Sequence, residues 1–272
     1  MNCSCSQTDS PFPPGLFAGT AEYYVQYRIP YPAVLIDGLA DAAKLTGTGR
    51  LLDLGSGPGR VALPMARYFH RVTAVDPEPE MIQVGRRLCK QAGVQNVDWQ
   101  IGRAEDVNYA SGSCEMITIG EAFHRMDRPL VARRAMEWLG PGKCLALMGC
   151  NSVWTGKENW QKLAVEVIAR WTKPKGSNSD HAQVPSPRPY REIFEEAGFV
   201  DVINQRFPIR HAWTLDSFIG YLYSTSVASK RVLGDHVNDF ENDLRSELLK
   251  YDSAGCYTET LEFYYDLTRR PR

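Results

Sequence analysis

The stretch Leu51-Leu52-Asp53-Leu54-Gly55-Ser56-Gly57-Pro58-Gly59-Arg60 decides the fold of this chain. A short apolar run ends in an acid and continues into a glycine-rich turn and a helical pattern, which predicts a strand, a tight loop and a helix. Glycines let the loop bend freely and place no side chain between its backbone and a ligand. The stretch therefore predicts a site where a nucleotide-like molecule lies against bare backbone.

The alternation of strand and helix continues beyond this loop. Apolar and β-branched runs predict further strands at 71–76, 97–101, 114–119 and 142–150. Helical patterns lie at 33–45, 60–69, 80–90 and 127–139. Pro64 fits the second of these only near the helix start, because an interior proline removes a hydrogen bond. Short connections between alternating elements are typical of one doubly wound sheet.

The spacing of the glycines separates two nucleotide-binding families. The NAD fingerprint G-x-G-x-x-G needs its third glycine one residue later than Gly59. With Asp53 two residues before the first glycine, the stretch resembles motif I of the class I S-adenosylmethionine-dependent methyltransferases. The resemblance implies S-adenosylmethionine as the cofactor. It also implies an α/β, Rossmann-like, doubly wound sheet of seven strands, mostly parallel, with an antiparallel edge hairpin and helical cap insertions.

Two further segments match this family in order. Asp76 ends the second predicted strand, where a carboxylate accepts hydrogen bonds from ribose hydroxyls; an acid that caps a helix is the alternative. The resemblance implies that the segment after the third strand, with Glu105 or Asp106, reads the adenine edge. Pro77 and Met81 either pack on adenine or belong to the core. The predicted cofactor-binding residues are Tyr24, Arg28, Asp53, Gly55, Gly57, Gly59, Asp76, Pro77, Met81, Ala104, Glu105 and Gly120.

The N-terminal segment 16–31 is rich in aromatic side chains. Tyr24, Tyr27 and Arg28 share one helical face, and the resemblance implies that Tyr24 to Arg28 closes as a lid over the methionine end of the cofactor. Tyrosine faces there stabilise a sulfonium by cation–π attraction. Plain packing of an N-terminal helix is the alternative. An exposed apolar helix also favours contact with a second copy, so we expect a homo-oligomer.

The loop after the fourth strand resembles the family's segment beside the transferring methyl group. His124 in this loop is a candidate general base, since an imidazole with a pKa near 6.5 takes a proton at neutral pH. A structural or cofactor-adjacent role for His124 is the alternative. Glu121 is the second catalytic candidate, or it faces the methionine moiety. No metal-ligand spacing appears, so no metal site is predicted.

Beyond Cys150 the alternation breaks and aromatic residues become frequent. We expect a helix and a loop through 151–189, late strands at 200–210 and 258–268, and helices between them. The aromatic cap resembles those of bacterial natural-product methyltransferases, including the terpenoid-indole C-methyltransferases of the teleocidin pathway. These rings line an acceptor pocket or form the cap's own core. The predicted substrate-binding residues are Tyr27, Phe123, Trp154, Trp171, Trp213 and Tyr221.

Composition narrows the class of partner. A net charge of -1 creates no broad positive electrostatic field that would attract nucleic acid. No apolar run reaches the roughly 20 residues that a membrane span requires. Seven cysteines without a disulfide pattern favour the reducing cytoplasm. The opening Met1 to Gly15 lacks the features of a signal peptide and predicts a loose arm. The expected partner is a small molecule.

The predicted organisation has three parts: an N-terminal arm and lid helix at 1–32, a cofactor-binding core at 33–150, and cap insertions that complete the sheet at 151–272. The predicted function is methyl transfer from S-adenosylmethionine to a small, lipophilic or aromatic metabolite. Whether carbon, nitrogen or oxygen accepts the methyl group is open. A non-catalytic cofactor-binding or interaction protein and an NAD(P)-dependent oxidoreductase are the alternatives.

Overall fold

A computed structural model describes residues 15–172 and 189–272. The strands within them are β1 Arg50–Leu54, β2 Arg71–Asp76, β3 Val97–Ile101, β4 Cys114–Gly120, β5 Leu139–Cys150, β6 Val200–Thr214 and β7 Cys256–Arg269. They form one sheet in the order β3-β2-β1-β4-β5-β7-β6. β1 to β5 run parallel, and β7 lies antiparallel between β5 and β6. The predicted fold class, including the antiparallel edge hairpin, is confirmed.

Helices cover both faces of this sheet. Those in the described ranges are α1 Ala21–Tyr27, α2 Ala33–Ala43, α3 Ala62–Met65, α4 Pro79–Gln91, α5 Arg128–Trp138, α6 Asn159–Thr172, α7 Tyr190–Glu196, α8 Leu215–Tyr223, α9 Lys230–Leu233 and α10 Val237–Tyr251. α5 begins as the sequence predicts, because the Asp127 side chain accepts a hydrogen bond from the Leu130 amide at 3.1 Å. None of these helices is long and apolar enough to cross a bilayer.

The helix predicted over 60–69 is much shorter in the structure. Only Ala62–Met65 is α-helical, and a 3₁₀ turn follows at Ala66–Tyr68. Pro64 explains the later start of the helix, because it has no N–H to donate to the carbonyl of Arg60. It is tolerated in the first turn, where the amides lack partners within the helix.

The hairpin of β6 and β7 is longer than predicted and extends beyond the sheet. β5 pairs with β7 only from Phe263 to Arg269, whereas β6 pairs with β7 back to Cys256. The free part of this two-stranded ribbon carries Trp213 and Tyr257 into a separate apolar cluster with α6, α8 and α10. This cluster is the cap, and it stands above the carboxyl ends of β4 and β5.

Two expectations fall on residues outside the described ranges. The loose arm was expected at the start of the chain, of which residues 1–14 are not described. The proline-rich and serine-rich loop was expected at 174–189, of which 174–188 are not described.

Candidate active site

The glycine loop after β1 can be built only from glycine at its tightest points. Gly55 and Gly59 have φ angles of +67° and +95°, which side-chain-bearing residues rarely adopt. A Cβ on Gly55 would lie 2.4 Å from the Cβ of Ala122, and one on Gly59 would lie 2.6 Å from the Trp99 ring. The loop therefore packs directly against the loop that leaves β4.

Asp76 at the end of β2 fixes the same loop from the other side. Its carboxylate is buried and accepts hydrogen bonds from the amides of Gly57 at 2.8 Å and Glu78 at 2.9 Å. Burial raises the pKa of Asp76 to about 6 against the effect of these two hydrogen bonds. Each carboxylate oxygen still has a lone pair for a donor such as a ribose hydroxyl.

Asp53 at the end of β1 is the most deeply buried acid of the site. The Thr118 hydroxyl donates to its Oδ1 at 2.7 Å, while Oδ2 has no hydrogen-bond partner among the described residues. Burial raises the pKa of Asp53 from 3.8 to about 7. The Ala62 amide lies near enough to oppose the rise in the pKa of Asp53 but forms no well-aligned hydrogen bond to Oδ2. A bare glycine loop between two buried carboxylates with free acceptor capacity fits a nucleoside cofactor that carries hydroxyl and ammonium donors.

The loop after β4 holds Glu121 in an unusual conformation. Glu121 has a φ of +53°, which costs a non-glycine residue about 1–3 kcal/mol. Arg60 stabilises it through an ion pair of 2.8 Å, and the Glu121 amide donates to the carbonyl of Met148 at 2.9 Å. Arg60 also donates to the Ile29 carbonyl and lies 4.8 Å from the centre of the Tyr31 ring. The Glu121 carboxylate is thereby fixed beside the glycine loop.

Sequence reasoning missed Arg60, although it ends the decisive stretch. A basic residue directly after a glycine loop was the available signal. Its partner Glu121 lies 61 residues further along the chain, so the pairing depends on the parallel order of β1 and β4.

α1 bridges the glycine loop and the cap. A Cβ added to Gly57 would lie 4.0 Å from the Tyr24 ring, so this ring covers the glycine loop. The Arg28 guanidinium lies 5.0 Å from the centre of the Tyr24 ring and 4.9 Å from that of Tyr221. It also donates from Nε to the Ser224 hydroxyl at 2.8 Å. Arg28 is thus sandwiched between the rings of Tyr24 and Tyr221. This sandwich connects the segment before β1 to the end of α8.

A small cavity opens where these parts meet. Its volume is about 30 Å³, room for roughly two water molecules. Charged and aromatic side chains line it together: Arg28, Arg60, Glu121, Trp213, Phe218, Tyr221 and Glu259. A metabolite can enter this space only if the surrounding segments separate.

The structure brings some predicted acceptor residues to this cavity and places others elsewhere. Trp213 and Tyr221 line it. Tyr27 packs against Gly220 of α8. A Cβ added to Gly220 would lie 2.4 Å from the Tyr27 ring. Phe123 is buried against Phe194 on the other side of the loop, with ring centres 5.1 Å apart.

Two predicted tryptophans lie away from the cavity lining. Trp154 is 37% exposed on a 3₁₀ turn. Trp171 donates from its indole to Asp243 of α10 at 2.8 Å, which makes it part of the packing between cap helices.

His124 is exposed on the 3₁₀ turn Phe123–Arg125 and is not among the residues that line the cavity. Although the side chain is exposed at the surface, nearby protein atoms displace part of the water around the imidazole; this desolvation, with the neighbouring Arg125 and Arg128, lowers the pKa of His124, against the opposite effect of Glu121. Its imidazole is therefore neutral at physiological pH. Of the two catalytic candidates, only Glu121 reaches the cavity.

The predicted adenine segment is ordered by its own contacts. Glu105 is buried, and its carboxylate accepts a hydrogen bond from the Asp127 amide at 2.7 Å. Ala104 and Met81 are buried, whereas Pro77 is exposed beside Asp76. Gly120, at the end of β4, faces the Tyr31 hydroxyl and Val61. Within the described ranges, no cluster of His, Cys, Asp or Glu is suited to hold a metal ion.

Known proteins resemble this chain in both sequence and fold. The family profile described as a methyltransferase domain matches residues 51–142. The ubiquinone/menaquinone biosynthesis C-methyltransferase of Rubrivivax gelatinosus is 32% identical over 57% of this chain and 60% of its own length. The ubiquinone biosynthesis O-methyltransferase of Cereibacter sphaeroides is 31% identical over 61% of this chain and 67% of its own length.

A solved structure extends the likeness to nearly the whole chain. A putative type II methyltransferase from Anaeromyxobacter dehalogenans superposes with a TM-score of 0.57 and 22% identity, and the match covers 89% of this chain and 97% of that one. At this identity the likeness concerns the fold alone.

Proposed function

Because this chain belongs to the class I S-adenosylmethionine-dependent methyltransferases, we propose that it methylates a small, lipophilic or aromatic metabolite in the cavity beside Glu121. The observation that carries this proposal is the composition of the cavity wall. Trp213, Phe218 and Tyr221 supply aromatic surface in the same cavity wall as Arg60 and Glu121, which lie beside the glycine loop. Small-molecule sites are mostly apolar and contain a few placed polar groups.

The chain's own residues position the reactants. S-adenosylmethionine, when bound, supplies a methyl group activated on a sulfonium. Asp76 and the backbone of the glycine loop would hold its ribose, and Glu105 with the Ala104 segment would lie toward its adenine. Asp53 and Glu121 supply carboxylates toward the methionine end. Tyr24 and Arg28 cover the site and exclude water. Because the leaving group is already activated, positioning the reactants and excluding water are the main tasks of the protein.

Two relatives support a lipophilic acceptor without fixing the atom that is methylated. By their names, one acts on carbon and the other on oxygen in quinone biosynthesis. Neither relative belongs to terpenoid-indole metabolism, so we do not propose that narrower identity. The accepting atom in this chain stays open.

An assay with radiolabelled S-adenosylmethionine tests the proposed function. The purified chain is incubated with cell extract fractionated by polarity and size. We expect label to enter the lipophilic small-molecule fraction, and at an S-adenosylmethionine concentration below the wild-type Kd we expect much less label with Asp76→Ala. Label found in protein or nucleic acid instead would contradict the proposal.

Glu121 and His124 can be separated by paired substitutions. Glu121→Gln keeps the side-chain shape but removes the carboxylate that would act as the general base in the cavity, and we expect methyl transfer to fall roughly 10²-fold. His124→Ala is expected to change the rate much less, because its ring lies outside the lining. Single-turnover rates measure both effects. A larger loss with His124→Ala would restore the imidazole as the general base.

The lid proposal can be tested at Arg28. Arg28→Ala removes two cation–π contacts, each worth about 0.5–2 kcal/mol, and the hydrogen bond to Ser224. We expect slower methyl transfer, and also a lower free energy of unfolding, because these contacts exist without ligand; rates are therefore compared at a temperature where the variant is fully folded. Arg67→Ala is the matched control, since Arg67 lies 4.8 Å from the Tyr68 ring on the exposed surface. Equal rates for wild type and Arg28→Ala would exclude a lid that depends on this sandwich.

A homo-oligomer and a cytoplasmic location stay proposals. α1 packs on α8 through Tyr27, and Glu22 pairs with Arg87 of α4 at 2.7 Å. The apolar surface that α1 offers to a second copy is therefore smaller than its sequence predicts.

A further inference from the structure

Glu259 is a buried carboxylate in the cavity wall that none of the roles above uses. It lies on the part of β7 that extends beyond the sheet, and it is 7% exposed. The Trp213 indole donates to its Oε1 at 2.6 Å, and the Gln161 amide donates to its Oε2 at 2.6 Å. Three elements, β6, β7 and α6, thus position one carboxylate.

The partners of Glu259 determine its hydrogen-bonding role. An indole N–H can only donate. The Gln161 carbonyl accepts from the Glu158 amide at 3.0 Å, so its NH₂ group must face Glu259. Both oxygens of Glu259 are therefore acceptors, and each has a second lone pair.

Among the residues that the structure describes, no cation pairs with Glu259, whereas the other charges of the cavity have partners. Glu121 is paired with Arg60, and Arg28 lies between two tyrosine rings. The hydrogen-bond partners of Glu259 are the neutral Trp213 and Gln161, and burial raises its pKa. A buried carboxylate is costly unless further donors satisfy it.

We propose that Glu259 recognises the methyl acceptor by accepting a hydrogen bond from its N–H or O–H group. The preferred acceptors then combine an apolar or aromatic body with one hydrogen-bond donor. This inference rests on the proposed function, because it places the acceptor in this cavity. The competing explanation is that Glu259 only connects α6 to the hairpin.

Paired probes distinguish these explanations in the full chain saturated with S-adenosylhomocysteine. The first pair is phenol, which has an O–H donor, and anisole, which has none. The second pair is indole, which has an N–H donor, and 1-methylindole, which has none. Dissociation constants are measured by NMR titration. We expect the donor-bearing member of at least one pair to bind about 10-fold tighter or better, as for a hydrogen bond to a charged group. The pair that shows the preference identifies the donor as O–H or N–H.

Glu259→Gln should abolish this preference, because its single carbonyl oxygen is then shared by the Trp213 and Gln161 donors. Glu262→Gln is the matched control, since Glu262 lies on the same strand and is exposed; the preference should persist there. If Glu259→Gln fails to fold, Glu259→Asp keeps the charge but withdraws it by one methylene, and the preference should shrink.

Three results would overturn the inference. The wild type could bind both members of each pair equally, or Glu259→Gln could keep the full preference. Glu259→Asp with an undiminished preference would also contradict it. Failure of the wild type to bind S-adenosylhomocysteine at all would instead overturn the proposed function, and this binding is measured first.

Discussion

Asp76→Ala is expected to weaken the binding of S-adenosylhomocysteine on the order of 10- to 100-fold, which corresponds to the roughly 1.5–3 kcal/mol of hydrogen bonds to a charged group. The variant loses the acceptor for the ribose hydroxyls. It also loses the two contacts that hold the loop, from the amides of Gly57 and Glu78. Isothermal calorimetry on folded variant and wild type measures the effect.

Asp98→Ala is the control for this experiment. Asp98 lies on the neighbouring strand β3, where its side chain is 44% exposed and paired with Arg71. Its removal should leave the affinity unchanged. Equal affinity in Asp76→Ala and wild type, with the fold intact by circular dichroism, would remove Asp76 from the cofactor site.

Asp53→Asn is expected to stabilise the ligand-free protein at pH 8 by up to about 4 kcal/mol, because a tenfold difference in proton affinity between the folded and unfolded states corresponds to about 1.4 kcal/mol. The folded state raises the pKa of Asp53 from 3.8 to about 7, so it binds a proton more tightly than the unfolded chain does. This contribution to stability is therefore lost as the pH rises from about 4 to 7. Asparagine removes the buried charge that causes the loss.

Thermal unfolding of both proteins at pH 5 and pH 8 checks this sign. The gain should be larger at pH 8, where wild-type Asp53 is ionised. The difference between variant and wild type isolates Asp53, because His124 and His211, whose lowered pKa values act in the opposite direction, are common to both. An equal gain at both pH values would show that charge burial is not the cause.

Local sequence signals are sufficient to predict the family and its cofactor, and the cofactor-binding residues that they indicate stay predictions. The glycine spacing and the acids Asp53 and Asp76 each belong to a short stretch of sequence at the end of one strand. The sequence alone therefore indicates these features, before the sheet brings them together. The family, the enzyme class and S-adenosylmethionine are confirmed. Family membership also decides against the NAD(P)-dependent and the non-catalytic alternatives.

The acceptor half could not be predicted in the same way. Composition marks the cap as aromatic, but it does not tell which rings face inward. Trp213 reaches the cavity because the β6 and β7 ribbon continues past β5, whereas Trp171 turns toward α10. Glu259 has no local motif, since its partners lie 46 and 98 residues away. His124 lies in the predicted loop, yet a 3₁₀ turn exposes it.

A crystal structure of the chain with S-adenosylhomocysteine tests the central claim most directly. We predict that the ribose hydroxyls lie within hydrogen-bond distance of Asp76, with the nucleoside against the glycine loop. The sulfur should then face the cavity of Trp213, Tyr221 and Glu259. A ligand bound away from Asp76, or a sulfur that faces away from this cavity, would contradict the account.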